Sequence, residues 1–252
     1  MKLASIYNVF DGEELLQGSI NQIRSEVDVV IAVVQTLSNW GEVYEGGQIE
    51  CNRLFELGLI DYVIQFTPKI QREMLNGCHN ETRKRIQGFE LAKQLGCTHF
   101  LFMDCDEYYV NHEFAEAKKV AIKHDATCLH IQDYCKYPTL AKRELEGYYV
   151  PFIHKIQTTE KIGFCKYPYY CDPTRVTNHT TSYLFPSNEI VMHHFTNIRK
   201  DIERKYRNSS AQMNFDLSKV LQTFAQIELI ETPICKFVPN QFGIDESFCQ
   251  NI

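Results

Sequence analysis

The stretch Phe100-Leu101-Phe102-Met103-Asp104-Cys105-Asp106-Glu107 decides the fold of this chain. Four apolar residues are followed at once by three acids within four positions. This pattern predicts a strand that is buried on both faces and ends at the edge of a sheet. Ligands of open α/β sheets bind just beyond the carboxyl ends of the strands. Asp104 and Asp106 are therefore candidate ligand-binding residues, and the alternative is a solvated acidic turn after a strand.

The residues before this stretch alternate between strand and helix patterns. Strands are predicted at 3–7, 28–34, 62–66 and 100–103, and helices from residue 11, at 46–58 and at 81–95. Strands separated by helices indicate β-α-β crossovers and a mainly parallel sheet. After residue 110 the pattern loosens, with helices predicted at 113–124, 197–211 and 217–226 and a strand at 127–132. We therefore predict a single Rossmann-like α/β domain with a C-terminal helical extension.

Composition excludes several classes of protein. The chain has 252 residues, of which 44% are apolar and 23% are charged, as in one globular domain with a substantial core. A net charge of −6 argues against a nucleic-acid partner held by phosphate neutralisation. The ten cysteines form no Cys-x-x-Cys pair, which argues against structural zinc and favours reduced thiols in a cytoplasmic protein. Neither a signal peptide nor a transmembrane segment is expected, and no oligomeric state is predicted.

The two aspartates also suggest a metal. Carboxylates at Asp104 and Asp106 would repel each other unless a cation compensates their charge. Hard oxygen ligands suit Mg²⁺ or Mn²⁺, which keep several waters and bridge substrate phosphates.

The chain resembles the family 2-type glycosyltransferases with the GT-A fold over about residues 3–110. The matching pieces are Ser5-Ile6-Tyr7-Asn8, DVVIAVVQT at 28–36, TRKRIQG at 82–88 and FMDCDE at 102–107, which matches the DxD motif of that family. The resemblance implies a nucleotide-diphosphate-sugar donor, Mn²⁺ or Mg²⁺, and transfer of the sugar to a glycan, lipid-linked or protein acceptor. Residues 1–110 would form the nucleotide-sugar-binding half, and 111–252 the acceptor-binding half with the C-terminal extension.

The resemblance assigns donor-binding roles to five residues. Tyr7 and Asn8 would line the nucleotide pocket. Gln35 stands where the family has an aspartate that binds the base, so a UDP-sugar is favoured but the base stays open. Arg83 and Arg85 would offer bidentate donors to phosphate, and the alternative for each is a solvated basic helix face.

The resemblance also assigns the metal shell. Asp104 would contact the ribose or, through water, the metal, and Asp106 would bind the metal directly. A C-terminal histidine often completes this shell in the family, and His193 and His194 follow the apolar run at 190–192. Adjacent residues of a strand face opposite sides, so only one of the two histidines is expected to face the site.

The charged helix after these histidines offers further cations. Arg199 or Lys200 is a candidate for stabilising the diphosphate leaving group. The alternative is a solvated face with i,i+4 ion pairs such as Asp201 with Lys205.

The base that would deprotonate an acceptor is open among Asp133, Asp172 and Glu189. Asp133 follows a predicted strand, and Asp172 lies in an aromatic loop at 169–175 that suits stacking on a sugar. The Glu-Asp-Asp and Gln-x-x-Arg-Trp signatures of the family are missing, so neither the base nor the stereochemistry follows from the sequence. Our hypothesis is inverting transfer with Asp133 or Asp172 as base.

Two other classes of protein remain as alternatives. A nucleotidyltransferase of sugar phosphates would carry a basic, glycine-rich loop after the first strand, whereas YNVFDGEE at 7–14 is acidic and has one glycine. A non-catalytic carbohydrate-binding relic of the fold would not need Asp104 and Asp106.

Overall fold

The strand that precedes the acidic motif lies in the middle of one large sheet. The computed structural model describes residues 1–71, 73, 75–134, 140–142, 145–158, 161–214, 216–226, 235–237 and 242. The strands in chain order are β1 (Leu3–Val9), β2 (Val29–Val34), β3 (Tyr62–Gln65), β4 (His99–Asp104), β5 (Glu107–Tyr108), β6 (Ala126–Asp133), β7 (Leu140–Lys142), β8 (Tyr149–Lys155), β9 (Tyr183–Leu184), β10 (Val191–His194) and β11 (Cys235–Phe237). The helices are α1 (Glu13–Ile23), α2 (Gly46–Glu56), α3 (Asn76–Gln94), α4 (Asn111–Ala121), α5 (Ile202–Asn208) and α6 (Leu217–Gln226).

The order of the main sheet is β3-β2-β1-β4-β8-β6-β10-β5, and β9 pairs with β6. The first four strands of this order are parallel, as are the pairings of β6 with β10 and β9. β8 is antiparallel to β4 and β6, and β5 is antiparallel to β10. The prediction of a mainly parallel sheet is therefore confirmed, and β5 and β8 are strands that the sequence patterns did not predict.

Helices cover both faces of the parallel half. Alternate residues of β1, β2 and β4 pack against α1, α2 and α4 on one face, and the residues between them pack against α3 on the other. This is why these strands read as continuous apolar runs, since both faces are buried. Full burial of one such aliphatic side chain stabilises the fold by roughly 1.5–3 kcal/mol.

Several element boundaries differ from the prediction. α1 begins at Glu13, two residues after the predicted start, and follows Gly12 in the left-handed region with φ of 82°. α3 begins at Asn76, five residues before the predicted start, and Gly96 follows its end with φ of 70°. The helix predicted at 197–211 is the shorter α5, whose Asp201 accepts a hydrogen bond from the backbone N–H of Arg204.

α6 matches its predicted range, and most of the chain after it lies outside the described residues. The C-terminal extension as a unit stays a prediction. None of the helices in the described part of the chain has the length and apolar character that crossing a membrane requires.

Candidate active site

Two adjoining cavities lie at the carboxyl ends of the parallel strands. The larger has a volume of about 340 Å³ and the smaller about 190 Å³. Four residues line both: Asp104, Tyr148, Asp172 and His194. Small-molecule sites commonly measure roughly 300–1,000 Å³, so the joined space is large enough for one.

The alternation of side chains along β1 and β4 decides which residues reach this space. Asn8 and Asp104 are register partners on the face that α3 covers, and Asn8 lines the larger cavity. Tyr7 points to the other face, where it is fully buried and its hydroxyl lies 3.0 Å from Ser19 Oγ. The prediction that Tyr7 lines the nucleotide pocket is therefore corrected, because neighbours on a strand face opposite sides. Gln35 does line the larger cavity and is buried.

The close approach of α3 to the sheet brings three of its side chains to the strand ends. A Cβ on Gly88 would lie 3.0 Å from Val33 Cγ2 and closer still to Ile6 Cγ2, so only glycine fits between helix and sheet. Arg85 and Lys84 lie one helical turn before Gly88 on the same face, and Glu81 lies two turns before it. Lys84 and Glu81 line the larger cavity, and Lys84 Nζ donates to the carbonyl oxygen of Val9 at 2.6 Å.

Arg83 and Arg85 have different surroundings although they are two residues apart. Arg85 is 1% exposed and its Nη2 lies 3.1 Å from Asp104 Oδ1. Arg83 is exposed, with its guanidinium over the ring of Phe66 and one nitrogen 3.1 Å from Asn80 Oδ1. Arg83 therefore lies away from the cavity, which disagrees with its predicted phosphate-binding role. Arg85 is buried behind Asp104 and lines neither cavity, so its phosphate-binding role stays a prediction.

Asp104 is held between two arginines. Arg85 Nη2 donates to both oxygens, at 3.1 Å from Oδ1 and 3.2 Å from Oδ2, and Arg175 forms a short ion pair with Oδ2. Burial alone would raise the pKa of Asp104, but Arg175 and Arg85 outweigh burial and hold it below its ordinary value. Arg175 also pairs with the buried Glu107.

Asp106 has a separate set of cations. Its Oδ2 lies 2.6 Å from Arg199 Nη2, 3.5 Å from Lys205 Nζ and 3.7 Å from His194 Nε2. Burial would raise the pKa of Asp106, but Arg199, Lys205 and His194 together hold it well below the ordinary value. Lys205 therefore reaches into the cavity instead of lying on a solvated face, and Lys200 is the exposed member of the predicted pair Arg199 and Lys200.

These ion pairs change the argument for a metal. The repulsion between Asp104 and Asp106 is compensated by side chains, with Arg85 and Arg175 on one and Arg199 and Lys205 on the other. Charge compensation alone therefore does not require a divalent cation at this site.

Burial shifts the pKa of two groups in the larger cavity towards neutral pH. Burial raises the pKa of Glu81 to about 7, with Asp104 and Asp172 adding to the rise and Arg85 opposing it. Burial lowers the pKa of Lys84 to about 8, although nearby acids oppose this shift. Lys84 was not among the residues predicted from the sequence. Its position four residues before Gly88 would have placed it on the same face of α3.

The two histidines at the end of β10 face opposite sides, as the strand pattern predicts. His194 lines both cavities. His193 is buried on the other side, where its Nδ1 lies 2.7 Å from the hydroxyl of Tyr134 and its ring lies 4.8 Å from that of Phe242. The position of His193 therefore disagrees with its predicted role in the metal shell, and the role of His194 as a metal ligand stays a prediction.

The chemistry around His194 fits a divalent cation. His194 Nδ1 lies 2.7 Å from Asp133 Oδ1, which leaves Nε2 directed towards Asp106 Oδ2. A histidine held at one nitrogen by a carboxylate is the usual arrangement of an imidazole metal ligand. Within the described residues no three His, Cys, Asp or Glu side chains converge on one point. A cation here would take its remaining ligands from phosphate and water, as Mg²⁺ does.

The three candidate bases occupy distinct positions. Asp133 is buried behind His194 and lines neither cavity, which does not suit a group that contacts an acceptor. Glu189 is exposed and also lies outside the cavities. Asp172 lines both cavities; one oxygen accepts the backbone N–H of Thr174 at 2.8 Å, and the other lies 3.7 Å from Arg175 Nε.

Several buried polar atoms around the larger cavity have no hydrogen-bond partner within the described part of the chain. They include both side-chain polar atoms of Asn8, Nε and Nη1 of Arg199, and Nε and Nη1 of Arg85. Buried polar groups are normally paired, and each exception needs an explanation such as an absent ligand. Four of these unpaired atoms are guanidinium nitrogens, which an anionic group of a ligand would satisfy. The amide of Asn8 could pair with a hydroxyl group of the same ligand.

The solved structures that this chain matches have low TM-scores and low sequence identity to it. The crystal structure of S. aureus TarS 1-349 in complex with UDP-GlcNAc has a TM-score of 0.35 and 18% identity, and covers 52% of this chain and 34% of its own. S. aureus TarS 1-349 has a TM-score of 0.44 and 11% identity, covering 90% and 71%. Mannose-1-phosphate geranyltransferase from Thermus thermophilus has a TM-score of 0.34 and 13% identity, covering 62% and 51%.

This chain thus spans about a third of the length of the TarS complex with UDP-GlcNAc. The sequence matches no protein-family model and no curated protein.

Proposed function

We propose that this protein is a metal-dependent glycosyltransferase that uses a nucleotide-diphosphate-sugar donor, with a UDP-sugar favoured. The observation that carries the proposal is that Lys84, Arg199 and Lys205 line one cavity at the carboxyl ends of the parallel strands, where Arg199 and Lys205 pair with Asp106. Arg199 there keeps two buried nitrogens that have no partner within the described residues. These three cations suit the binding of a diphosphate. Of the nearby carboxylates, one could bind a metal and another could act as the general base.

The donor would lie along the larger cavity. Asn8 and Gln35 would contact the nucleoside, since both line the end of the cavity formed by β1 and β2. An amide carries both donors and acceptors, so Gln35 does not select one base. Arg199, Lys205 and Lys84 would contact the diphosphate.

The metal would be held by Asp106 and His194, with Asp104 binding through water or the ribose. Bound Mn²⁺ or Mg²⁺ supplies Lewis-acid stabilisation of a phosphoryl oxygen. Asp133 is reassigned from base to a positioning residue, because its carboxylate fixes the orientation of the His194 ring. Arg199 and Lys205 would then move from Asp106 to the diphosphate.

Asp172 would be the general base for inverting transfer to a glycan, lipid-linked or protein acceptor, because of its position in the site. Its carboxylate lies where the two cavities meet, between the proposed donor site and the smaller cavity. It would take the proton of the acceptor hydroxyl while the acceptor oxygen bonds to the anomeric carbon. The bond from that carbon to the diphosphate breaks, and the nucleoside diphosphate leaves with both electrons, stabilised by Arg199 and Lys205.

The experiment measures release of UDP from UDP-glucose, UDP-galactose and UDP-N-acetylglucosamine in the presence of Mn²⁺, with and without EDTA. Transferases commonly leak sugar to water, so release that EDTA suppresses is expected. Arg199→Ala is expected to lower kcat/KM by about 100-fold, the usual effect of losing one preorganised donor to a developing charge. Lys200→Ala is the matched control, since Lys200 is exposed beside it.

Two further measurements separate the alternative functions, and the Arg199 variant tests the proposed site. Release of pyrophosphate from a nucleoside triphosphate and a sugar phosphate would identify a nucleotidyltransferase. A donor that raises the melting temperature without turnover would identify a binding relic. Equal activity of the Arg199→Ala and Lys200→Ala variants would contradict the proposed diphosphate site.

A further inference from the structure

An exposed tyrosine lies beside the smaller cavity with no role in the donor site. Tyr170 is 78% exposed, an unusual value for a large aromatic side chain. Its ring packs edge to face against Tyr148, with the centroids 6.5 Å apart. Tyr148 lines both cavities, so the two rings form an aromatic path from the surface to Asp172.

The backbone that carries Tyr170 is held in place. The carbonyl oxygen of Tyr170 accepts the N–H of Tyr149 at 2.9 Å, which ties the loop to the start of β8. Phe164 N–H donates to the carbonyl oxygen of Pro173 at 2.7 Å and closes the loop on itself. Phe164 has a left-handed φ of 52°, a conformation that a bulky residue adopts only where its surroundings impose it. The exposed ring is therefore presented by an ordered platform, which lowers the entropy cost of binding.

The charge around the path disfavours an anionic occupant. Burial raises the pKa of Tyr148, and the carboxylates of Asp133, Glu146 and Asp172 raise it further, with Arg175 opposing them. The smaller cavity at the inner end of the path is lined by the carboxylates of Asp104, Glu107 and Asp172 and by the guanidinium of Arg175, so acids outnumber arginines there. A neutral molecule with an apolar face and several hydroxyl groups fits an aromatic ring beside a carboxylate.

We infer that Tyr170 and Tyr148 form the acceptor subsite and that the acceptor is a neutral pyranoside, a sugar ring that stacks on Tyr170 and presents a hydroxyl to Asp172. This inference rests on the proposed glycosyltransferase function. It selects the glycan among the glycan, lipid-linked and protein acceptors.

The test measures UDP release from the best donor as methyl β-D-glucopyranoside, methyl β-D-galactopyranoside, methyl α-D-mannopyranoside or methyl β-D-N-acetylglucosaminide is added. At least one pyranoside is expected to raise the rate above that in water alone. Tyr170→Ala is expected to raise the KM for that pyranoside by about two- to twelvefold, the range for loss of one aromatic contact. Tyr170→Phe keeps the ring and is expected to retain the wild-type KM.

Tyr62→Ala is the control for loss of a partly exposed tyrosine, since Tyr62 lies on β3 at the far edge of the sheet. An unchanged acceptor KM in Tyr170→Ala would overturn the inference. So would stimulation by octanol or a serine-containing peptide when none of the pyranosides stimulates. Wild-type protein that consumes no UDP-sugar in water would instead contradict the proposed function itself, so the two failures are distinguishable.

Discussion

Glu81→Gln is expected to stabilise the protein at mildly alkaline pH and to have little effect at acidic pH. Burial raises the pKa of Glu81 to about 7 from an ordinary value of 4.5. The folded state thus prefers the protonated side chain. The stability associated with that proton is fully present below pH 4.5 and is lost as the pH rises through about 7.

The size of the effect follows from the two pKa values. One pKa unit corresponds to about 1.4 kcal/mol, so ionised Glu81 costs about 3 kcal/mol at about pH 8 and less than about 1 kcal/mol at about pH 5. Glutamine keeps the shape of the protonated acid and removes its titration. The free energy of unfolding of Glu81→Gln should therefore exceed that of the wild type by about 3 kcal/mol at about pH 8.

Urea denaturation of both proteins at the two pH values measures this difference. Glu90→Gln is the control on the same helix, since Glu90 is exposed and pairs with Lys93 only at the surface. That change is expected to alter stability by less than about 0.5 kcal/mol at either pH. A stability difference between wild type and Glu81→Gln that is the same at both pH values would refute the reasoning.

Three other predictions test the site and the fold. Arg85→Ala should lower kcat/KM for donor hydrolysis, because Asp104 loses one of its two arginine partners, whereas Arg83→Ala on the same helix should not; equal losses in steady-state assays would contradict a role of Arg85 in holding Asp104. Asp133→Asn should raise the Mn²⁺ concentration for half-maximal activity about 10- to 100-fold, because outer carboxylates orient metal-binding histidines; a metal titration of EDTA-treated protein checks this, and an unchanged Mn²⁺ requirement would remove Asp133 from this role. Gly88→Ala should destabilise the fold by about 1–3 kcal/mol in urea denaturation, because its Cβ would overlap Ile6; wild-type stability would show that α3 can move away from the sheet.

The parallel half of the sheet was predictable from local patterns. Buried strands at 28–34 and 100–103 read as continuous apolar runs because both faces are covered. Helices were predicted between them at 46–58 and 81–95, and α2 and α3 lie there, although α3 starts five residues earlier than predicted. β8 was not predictable in this way, because it lies in a tyrosine- and proline-rich stretch where apolar periodicity is weak. Its position between β4 and β6 is decided by pairing partners distant in the chain.

Some features of the site were likewise predictable from local patterns, and others were decided by the tertiary structure. The sequence by itself determined that Asp104 and Asp106 end a buried strand and that only one of His193 and His194 can face a site, because side chains alternate along a strand. Only the tertiary structure decided that Lys205 reaches Asp106 across the cavity, where an ion pair with Asp201 on its own helix had been expected. It also placed Arg85 beside Asp104 and Arg83 at the surface, and it decided which face of β1 meets the cavity, so that Asn8 and not Tyr7 lines it. Local spacing fixes the face on which a side chain lies, but the partner on that face comes from elements that are far apart in sequence.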